Sequence, residues 1–483
     1  MTGHDLFLPT PLLVISTGIM CMLGVTAWRR SAGYGFVCAM VTLLLALAFT
    51  GRHTGRPDDG GNLFIQDQWA TYTAILILLS GLCILLMSWR DVAHDSAMQV
   101  PEYPLLFMLG MLGALTMVFG ANYIPFFLGL EILGISLMGL VTFRRRPITQ
   151  GFEAAMKYLI LSGVSSAIFL FGVGLAYGVT GSLRFTPPVA LDDVPATLPV
   201  VATVMILAGM FFKLSAVPFH LWLLDVMEGA PVPVAAFLAV ISKLAIFSSF
   251  IRYFGTGMQP AFLDNILSVV IILTIMGGNL TALRQTSLTR LVACSSIAHV
   301  GYLLIAFLCP GSLQSGAVTV YLVAYTASTL GIFATMTAFA TPGGPDGTAI
   351  SQWKGLFFSR PLLASAMSFM LLSLAGIPPG IGFLAKFEIA ATGVGQQRGL
   401  LLCVLVIGSI IGLYYYLNII RIMMTAPSLP SPDPNRQSRP ELMALVIVLT
   451  LIVVVGGLFP ARAIRPLLPA PTVPPGTQDG MTH

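Results

Sequence analysis

Charge is scarce in this sequence: Asp, Glu, Lys and Arg together make up 9% of its 483 residues. A soluble globular domain carries roughly a quarter, so that class is excluded. Cysteine is scarce too, and never paired. Cys21, Cys38, Cys83, Cys294, Cys309 and Cys403 stand singly in apolar stretches, with no CxxC pair and no metal-ligand spacing, so they read as small core hydrophobes. Iron–sulfur clusters, haem and structural zinc therefore have no expected ligands on this chain. Long polar segments are missing as well. The stretches between apolar runs leave no room for a soluble cofactor domain, so any redox chemistry coupled to the chain has to reside elsewhere. The net charge of +5 is small for the length and scattered over loops, which favours contact with lipid headgroups over nucleic acid.

Apolar surface is what the chain has in excess. Hydrophobic residues make up 56% of it and the mean hydropathy is +0.90, the composition of an all-α polytopic membrane protein. Runs of about 17 to 25 apolar residues cross roughly 30 Å of hydrocarbon. Fourteen are found, centred near residues 17, 41, 79, 111, 132, 168, 209, 243, 274, 300, 328, 372, 410 and 450. Gly and Pro clusters separate them at 56–62, 186–197, 341–347 and 428–440. The first residues, MTGHDLFLPTPLL, hold no basic region and no small-residue cleavage site, so an uncleaved first helix is expected. No long lateral helix is expected after the fourteenth span. With the N-terminus outside, thirteen basic residues face inward, including the triple Arg144, Arg145 and Arg146, against seven outward. That count predicts both termini on the outer side, with the triple arginine a topological anchor.

Two spans carry proline where a helix cannot continue unbroken. The seventh, MILAGMFFKLSAVPFHLWLL, contains Pro218; the twelfth, FMLLSLAGIPPGIGFLAKFEI, contains Gly376, Pro378, Pro379, Gly380 and Gly382. Interrupted helices at corresponding places in two halves of a transporter point to an ion path. Five spans separate them. The expected organisation is therefore helices 1–3 over residues 1–100, a first five-helix repeat over 101–256 (helices 4–8), a second, inverted one over 257–426 (helices 9–13), and helix 14 with a tail over 427–483. The match between the breaks is imperfect in sequence. Lys213 precedes its break by five residues, whereas Lys386 follows its own by seven or eight.

Four of the five lysines, Lys157, Lys213, Lys243 and Lys386, lie in or at the edge of membrane-crossing stretches. A cation at the middle of a membrane helix costs roughly 2.5 to 3.5 kcal/mol, so such groups face a wet interior and work there. Glu131 has no other charge within ten residues. Its partner must come from another helix, and Lys213 is the natural candidate, either as a static ion pair or as one whose opening tunes proton exchange. Lys243 has no acid within a turn and is the hardest to explain as structure. Lys157 has Glu153 four residues before it, a favourable helical spacing, so helix-end stabilisation and function stay open. His299 sits beside Ser295, Ser296 and Tyr302, whose hydroxyls suit either a satisfied core histidine or a relay. Glu388 follows Lys386 by two residues and so faces elsewhere. His220, Asp225 and Glu228 follow the first break as a proton entry or an interfacial cap.

The runs FFKLSAVPFHLWLLDVMEGAPVPVAAFLAVISKLAIF, GNLTALRQTSLTRLVACSSIAHVGYLL and LLSLAGIPPGIGFLAKFEI closely resemble the antiporter-like proton-channel subunits of bacterial type I NADH:quinone oxidoreductase, respiratory complex I. The resemblance is specific across residues 120–425 and loose over the first hundred. It implies inverted five-helix repeats and a relay in which Glu131 and Lys213 form the tuning pair, Lys243 the centre, His299 the bridge and Lys386 the group facing the second half-channel. The doubled proline of AGIPPG and the triple arginine depart from the family pattern. The resemblance further implies no cofactor on this chain, with NADH, FMN, iron–sulfur clusters and quinone in partner subunits. Those partners would be neighbouring antiporter-like and small transmembrane subunits, in a bacterial inner membrane. The alternatives are a subunit of a cation/proton antiporter or of a membrane-bound hydrogenase, which would share the same lysines and breaks, and a passive scaffold between membrane subunits.

Overall fold

The structure, a computed structural model, describes residues 9–29, 31–51, 63–93, 101–143, 148–185, 188, 197–254, 261–309, 312–340, 346–426 and 439–459. The triple arginine at 144–146, both termini and most of the Gly/Pro-rich loops lie outside them. Among the described residues the chain is helical, with isolated bridges in place of strands. The helices are α1 (Thr10–Trp28), α2 (Ala32–Thr50), α3 (Gln68–Ala93), α4 (Glu102–Phe119), α5 (Tyr123–Val141), α6 (Ile148–Thr180), α7 (Thr197–Leu214), α8 (Leu221–Gly229), α9 (Val232–Phe254), α10 (Ala261–Ala282), α11 (Leu288–Phe307) and α12 (Ser312–Phe339). After a 3-10 turn come α13 (Leu356–Ser359), α14 (Pro361–Ala375), α15 (Ile381–Gly395), α16 (Gly399–Met424) and α17 (Pro440–Leu458).

Thirteen of these are long and apolar enough to cross a membrane, and α14 is a shorter apolar helix. Every one of the fourteen expected centres falls on a helix or, at 372, on the half-helix before a break. This is a multi-pass, all-α membrane protein. Burial sorts the helices into centre and rim. In α9, α11 and α12 the most apolar window is 94% buried, against 28% in α1 and α17. The three central helices carry Lys243, His299, Tyr302, Tyr321 and Tyr325. The cysteines divide the same way, which corrects their reading as core residues. Cys294 and Cys309 are buried, Cys38 and Cys83 are partly so, and Cys21 and Cys403 point outward.

Both expected interruptions are present, and they are built alike. At the end of α7, Ser215 takes the left-handed conformation (φ 61°), Ala216 N donates to Phe211 O and Ser215 N to Phe212 O, both at 2.9 Å. At the end of α14, Gly376 does the same (φ 86°), with Ile377 N to Leu372 O at 3.1 Å and Gly376 N to Ser373 O at 3.0 Å. Each is the paired bonding by which a helix satisfies its last carbonyls before turning away. Glycine suits the second site because a left-handed φ costs an L-residue roughly 1–2 kcal/mol. A cis proline follows at the same offset in each, Pro218 and Pro379. The chain then resumes as α8 and α15.

Candidate functional site

Glu131 lies on α5 and Lys213 on the last turn of α7, and the expected direct ion pair between them is not formed. Each ends instead on a serine of α6. Lys213 Nζ donates to Ser162 Oγ at 2.6 Å, and Ser166 donates to Glu131 in a short bond. Ser162 and Ser166 are four residues apart and so share one helix face. Two hydroxyls therefore stand where a Coulombic contact was expected. Glu131 is half-buried rather than enclosed, whereas Lys213 is buried with its ammonium 5.5 Å from the Tyr158 ring centroid. The break supports this site directly. Trp222, at the start of α8, donates its indole N–H to Phe212 O at 3.1 Å and stacks on the Phe212 ring.

A second cluster occupies the centre. Lys243, 2% exposed, donates to Ser296 in a short bond. Tyr325 OH donates to Ala239 O at 3.0 Å and lies 2.9 Å from the same Ser296 oxygen. His299 Nδ1 is 2.7 Å from Tyr321 OH and Nε2 is 3.5 Å from Tyr416 OH, while Tyr416 makes a short bond with Ser295. Of the hydroxyls expected to serve His299, Ser296 thus serves Lys243 and Ser295 serves Tyr416. Tyr302 meets the imidazole only edge-on. Two cavities join Lys243, His299 and Lys386. One is lined by Lys243, Ser296, His299, Tyr321 and Tyr325 among others; the second is lined by His299, Tyr321, Tyr325 and Lys386 among others.

Lys386, on α15, reaches back across its break. Its ammonium donates to Ala375 O at 2.9 Å and to Ser409 Oγ at 3.2 Å, and lies 5.0 Å from the Tyr302 ring centroid; Glu388 takes no part. The sequence mismatch between the two breaks is thereby resolved in space. Lys213 sits on the final turn of α7, and Lys386 caps the final carbonyl of α14, so each cation lies at the C-terminal end of the first half of a broken span. That end carries the negative pole of the helix dipole.

Lys157 belongs elsewhere. Its side chain is 43% exposed and pairs with Glu153 at 2.7 Å and Asp225 at 3.0 Å. Asp225 and Glu228 in turn hold Arg290 of α11 at 3.5 Å and 2.7 Å. This ties α6, α8 and α11 together on one surface and takes Asp225 and Glu228 with it. His220 sits at the N-terminal end of α8 with Nδ1 buried and unpartnered. Among the described residues no hydrogen bond connects the Lys213 cluster with Lys243, so the row is two clusters. No group of His, Cys, Asp and Glu among them is arranged to hold a metal.

Serine and tyrosine hydroxyls can both donate and accept, and a neutral imidazole does each at a different nitrogen. Such groups pass protons between cations that cannot touch. Sequence reasoning missed Ser162, Ser166, Tyr321, Tyr325, Ser409 and Tyr416. Two spacings did carry a signal: serines four apart in LILSGVSSAIF, and tyrosines four apart in VYLVAYTAS.

Residues 102–412 match the family described as NADH:quinone oxidoreductase/Mrp antiporter, transmembrane. The chain belongs to that family. Its fold is similar to that of a chain in the respiratory complex I of Thermus thermophilus with bound aureothin, at 28% identity and a TM-score of 0.81, over 94% of this chain and 98% of that one. A chain of the Mrp complex from Dietzia sp. DQ12-45-1b shares the fold at 20% identity and a TM-score of 0.81, over 96% of each. So does one in the membrane-bound sulfane sulfur reductase, an archaeal respiratory membrane complex, at 21% identity and 0.78, over 94% of each.

Proposed function

We propose that this family member is subunit N of a bacterial proton-pumping NADH:quinone oxidoreductase, a translocase subunit without a redox centre of its own. The observation that carries the reading is the pair of cavities meeting at His299 between Lys243 and Lys386. Three protonatable groups face one another there through hydroxyls and small voids, buried where an uncompensated charge is costly. In this reading Glu131 and Lys213, coupled through Ser162 and Ser166, bias the central lysine, Lys243 passes a proton to His299, and Lys386 delivers it. Lysine rather than glutamate in the twelfth span favours subunit N within the family. Residues 101–256 and 257–426 form the two inverted repeats, and their similarly capped breaks support that division. The driving chemistry, from NADH through FMN and iron–sulfur clusters to quinone, takes place in partner subunits. Neighbouring antiporter-like and small transmembrane subunits cover its sides in the inner membrane, with both termini outside.

A second reading, a cation/proton antiporter or membrane-bound hydrogenase subunit, draws on the equal TM-score of the Mrp neighbour. Flavin and iron–sulfur genes beside this one favour the first reading, and an antiporter operon or hydrogenase genes the second. The functional test is Lys213→Ala and Lys386→Ala in native membrane vesicles. Both variants are expected to lower coupled quinone reduction and proton uptake; unchanged rates and stoichiometry in both defeat the relay.

A further inference from the structure

The two ring nitrogens of His299 face different company. Nδ1 points to Tyr321, which lines both cavities, so this nitrogen is the one shared by the Lys243 side and the Lys386 side. Nε2 points to Tyr416, which lines neither. Tyr416 is 1% exposed and bonded to Ser295, one turn before His299 on α11. Either hydroxyl can donate in that bond, and the phenol, the more acidic of the two, is the stronger donor. With its proton given to Ser295, the Tyr416 oxygen is left to accept from Nε2–H.

We infer that Tyr416, oriented by Ser295, is a positioning residue that keeps the proton of neutral His299 on Nε2, so that Nδ1 alone receives a proton from the Lys243 side and releases it to the Lys386 side. The partner of one ring nitrogen sets the state of the other. The proton balance is simple: one proton arrives at Nδ1 to give imidazolium, the same nitrogen gives one up into the second cavity, and Nε2–H is retained throughout.

The surroundings hold Tyr416 in place. Tyr415, its neighbour on α16, packs against it with ring centroids 4.5 Å apart and donates to Asn279 Oδ1 at 3.2 Å. Asn279 Nδ2 donates to Tyr302 OH at 2.9 Å. Gly408 of α16 makes room for this network, since a Cβ there would stand 2.7 Å from Tyr302 OH and 3.0 Å from Asn279 Nδ2.

The inference rests on the relay reading, and the two fail separately. Lys243→Ala tests the relay: retained proton uptake in vesicles overturns it and this inference with it. If Lys243→Ala abolishes uptake, Tyr416→Phe, Ser295→Ala and Ser295→Thr test the positioning in the intact complex. Tyr416→Phe and Ser295→Ala are expected to slow uptake about tenfold, the change made by losing one hydrogen bond worth about 1.4 kcal/mol, while Ser295→Thr, which keeps the hydroxyl, stays near wild type. A packing role predicts the reverse order, because phenylalanine preserves shape and threonine adds a methyl. The ring ¹⁵N shifts of His299, assigned by difference against His299→Gln, should show Nε2–H in the wild type and a mixed or Nδ1–H tautomer in Tyr416→Phe. Normal uptake in Tyr416→Phe, or an unchanged tautomer, overturns the inference. Should Tyr416→Phe fail to assemble, the Ser295 pair decides by the same readouts.

Discussion

Replacing Lys386 with methionine separates transport from packing. The ammonium donates to Ala375 O at 2.9 Å and Ser409 Oγ at 3.2 Å, with the Tyr302 ring centroid 5.0 Å away. Two hydrogen bonds from a charged donor at roughly 1.5–3 kcal/mol each, with a cation–π contact of about 0.5–2, total about 6 kcal/mol lost on substitution. Methionine escapes the roughly 2.5–3.5 kcal/mol cost of a cation within a membrane helix and contributes about 1.5–3 kcal/mol of apolar burial, which together regain about 5 kcal/mol. The net change is therefore ~1 kcal/mol, a shift of a few degrees in the melting temperature. Purified complex and sealed vesicles provide the two measurements. The expected outcome is a complex that assembles and melts nearly as the wild type does while proton uptake is lost. Retained uptake would falsify the role given to Lys386. A fall in melting temperature beyond about ten degrees alongside lost uptake would show that it serves as a cap for the end of α14.

The serine bridge and the outlying lysine give two more contrasts. Ser162→Ala removes the hydroxyl bonded to Lys213 and is expected to lower proton uptake severalfold. Ser165→Ala, three residues along, removes only a 3.2 Å bond to Gly209 O and should leave uptake near normal; equal effects of the two in the vesicle assay refute the bridge. Lys157→Ala breaks an exposed ion-pair group worth ~0.2–1 kcal/mol, so uptake should remain at wild-type rates with a melting shift of no more than a few degrees. A variant that assembles but no longer pumps would return Lys157 to the relay.

Much of this protein was legible in its sequence, for reasons that are local. A helix crossing hydrocarbon must satisfy its own backbone and present apolar side chains, so spans show in composition alone. Proline removes a backbone donor wherever it stands, so both breaks could be placed to within a turn. Cations in apolar runs are conspicuous because they are costly, and Lys213, Lys243, Lys386 and His299 all proved buried. Hydroxyls gave no such signal. Many of those in these helices, such as Thr42, Ser80 and Ser88, bond the carbonyl four residues back on their own helix, so a serine turned toward another helix looks no different in sequence. Only packing distinguishes Ser162, Ser166 and Ser296 from the rest.

The positions of the charges were likewise settled in three dimensions. Glu131 and Lys213 were expected to touch, but α6 runs between them and supplies the intervening serines. Lys213 and Lys386 fall on opposite sides of their breaks in sequence, yet a long flexible side chain can reach back over a turn, and both cations end at the same pole of a half-helix. By itself, the sequence determined that the chain crosses a membrane many times, where its helices break and which charges it must shelter. The tertiary structure decided which hydroxyls those charges meet, because that depends on which helix faces are brought together, and no local pattern encodes the pairing.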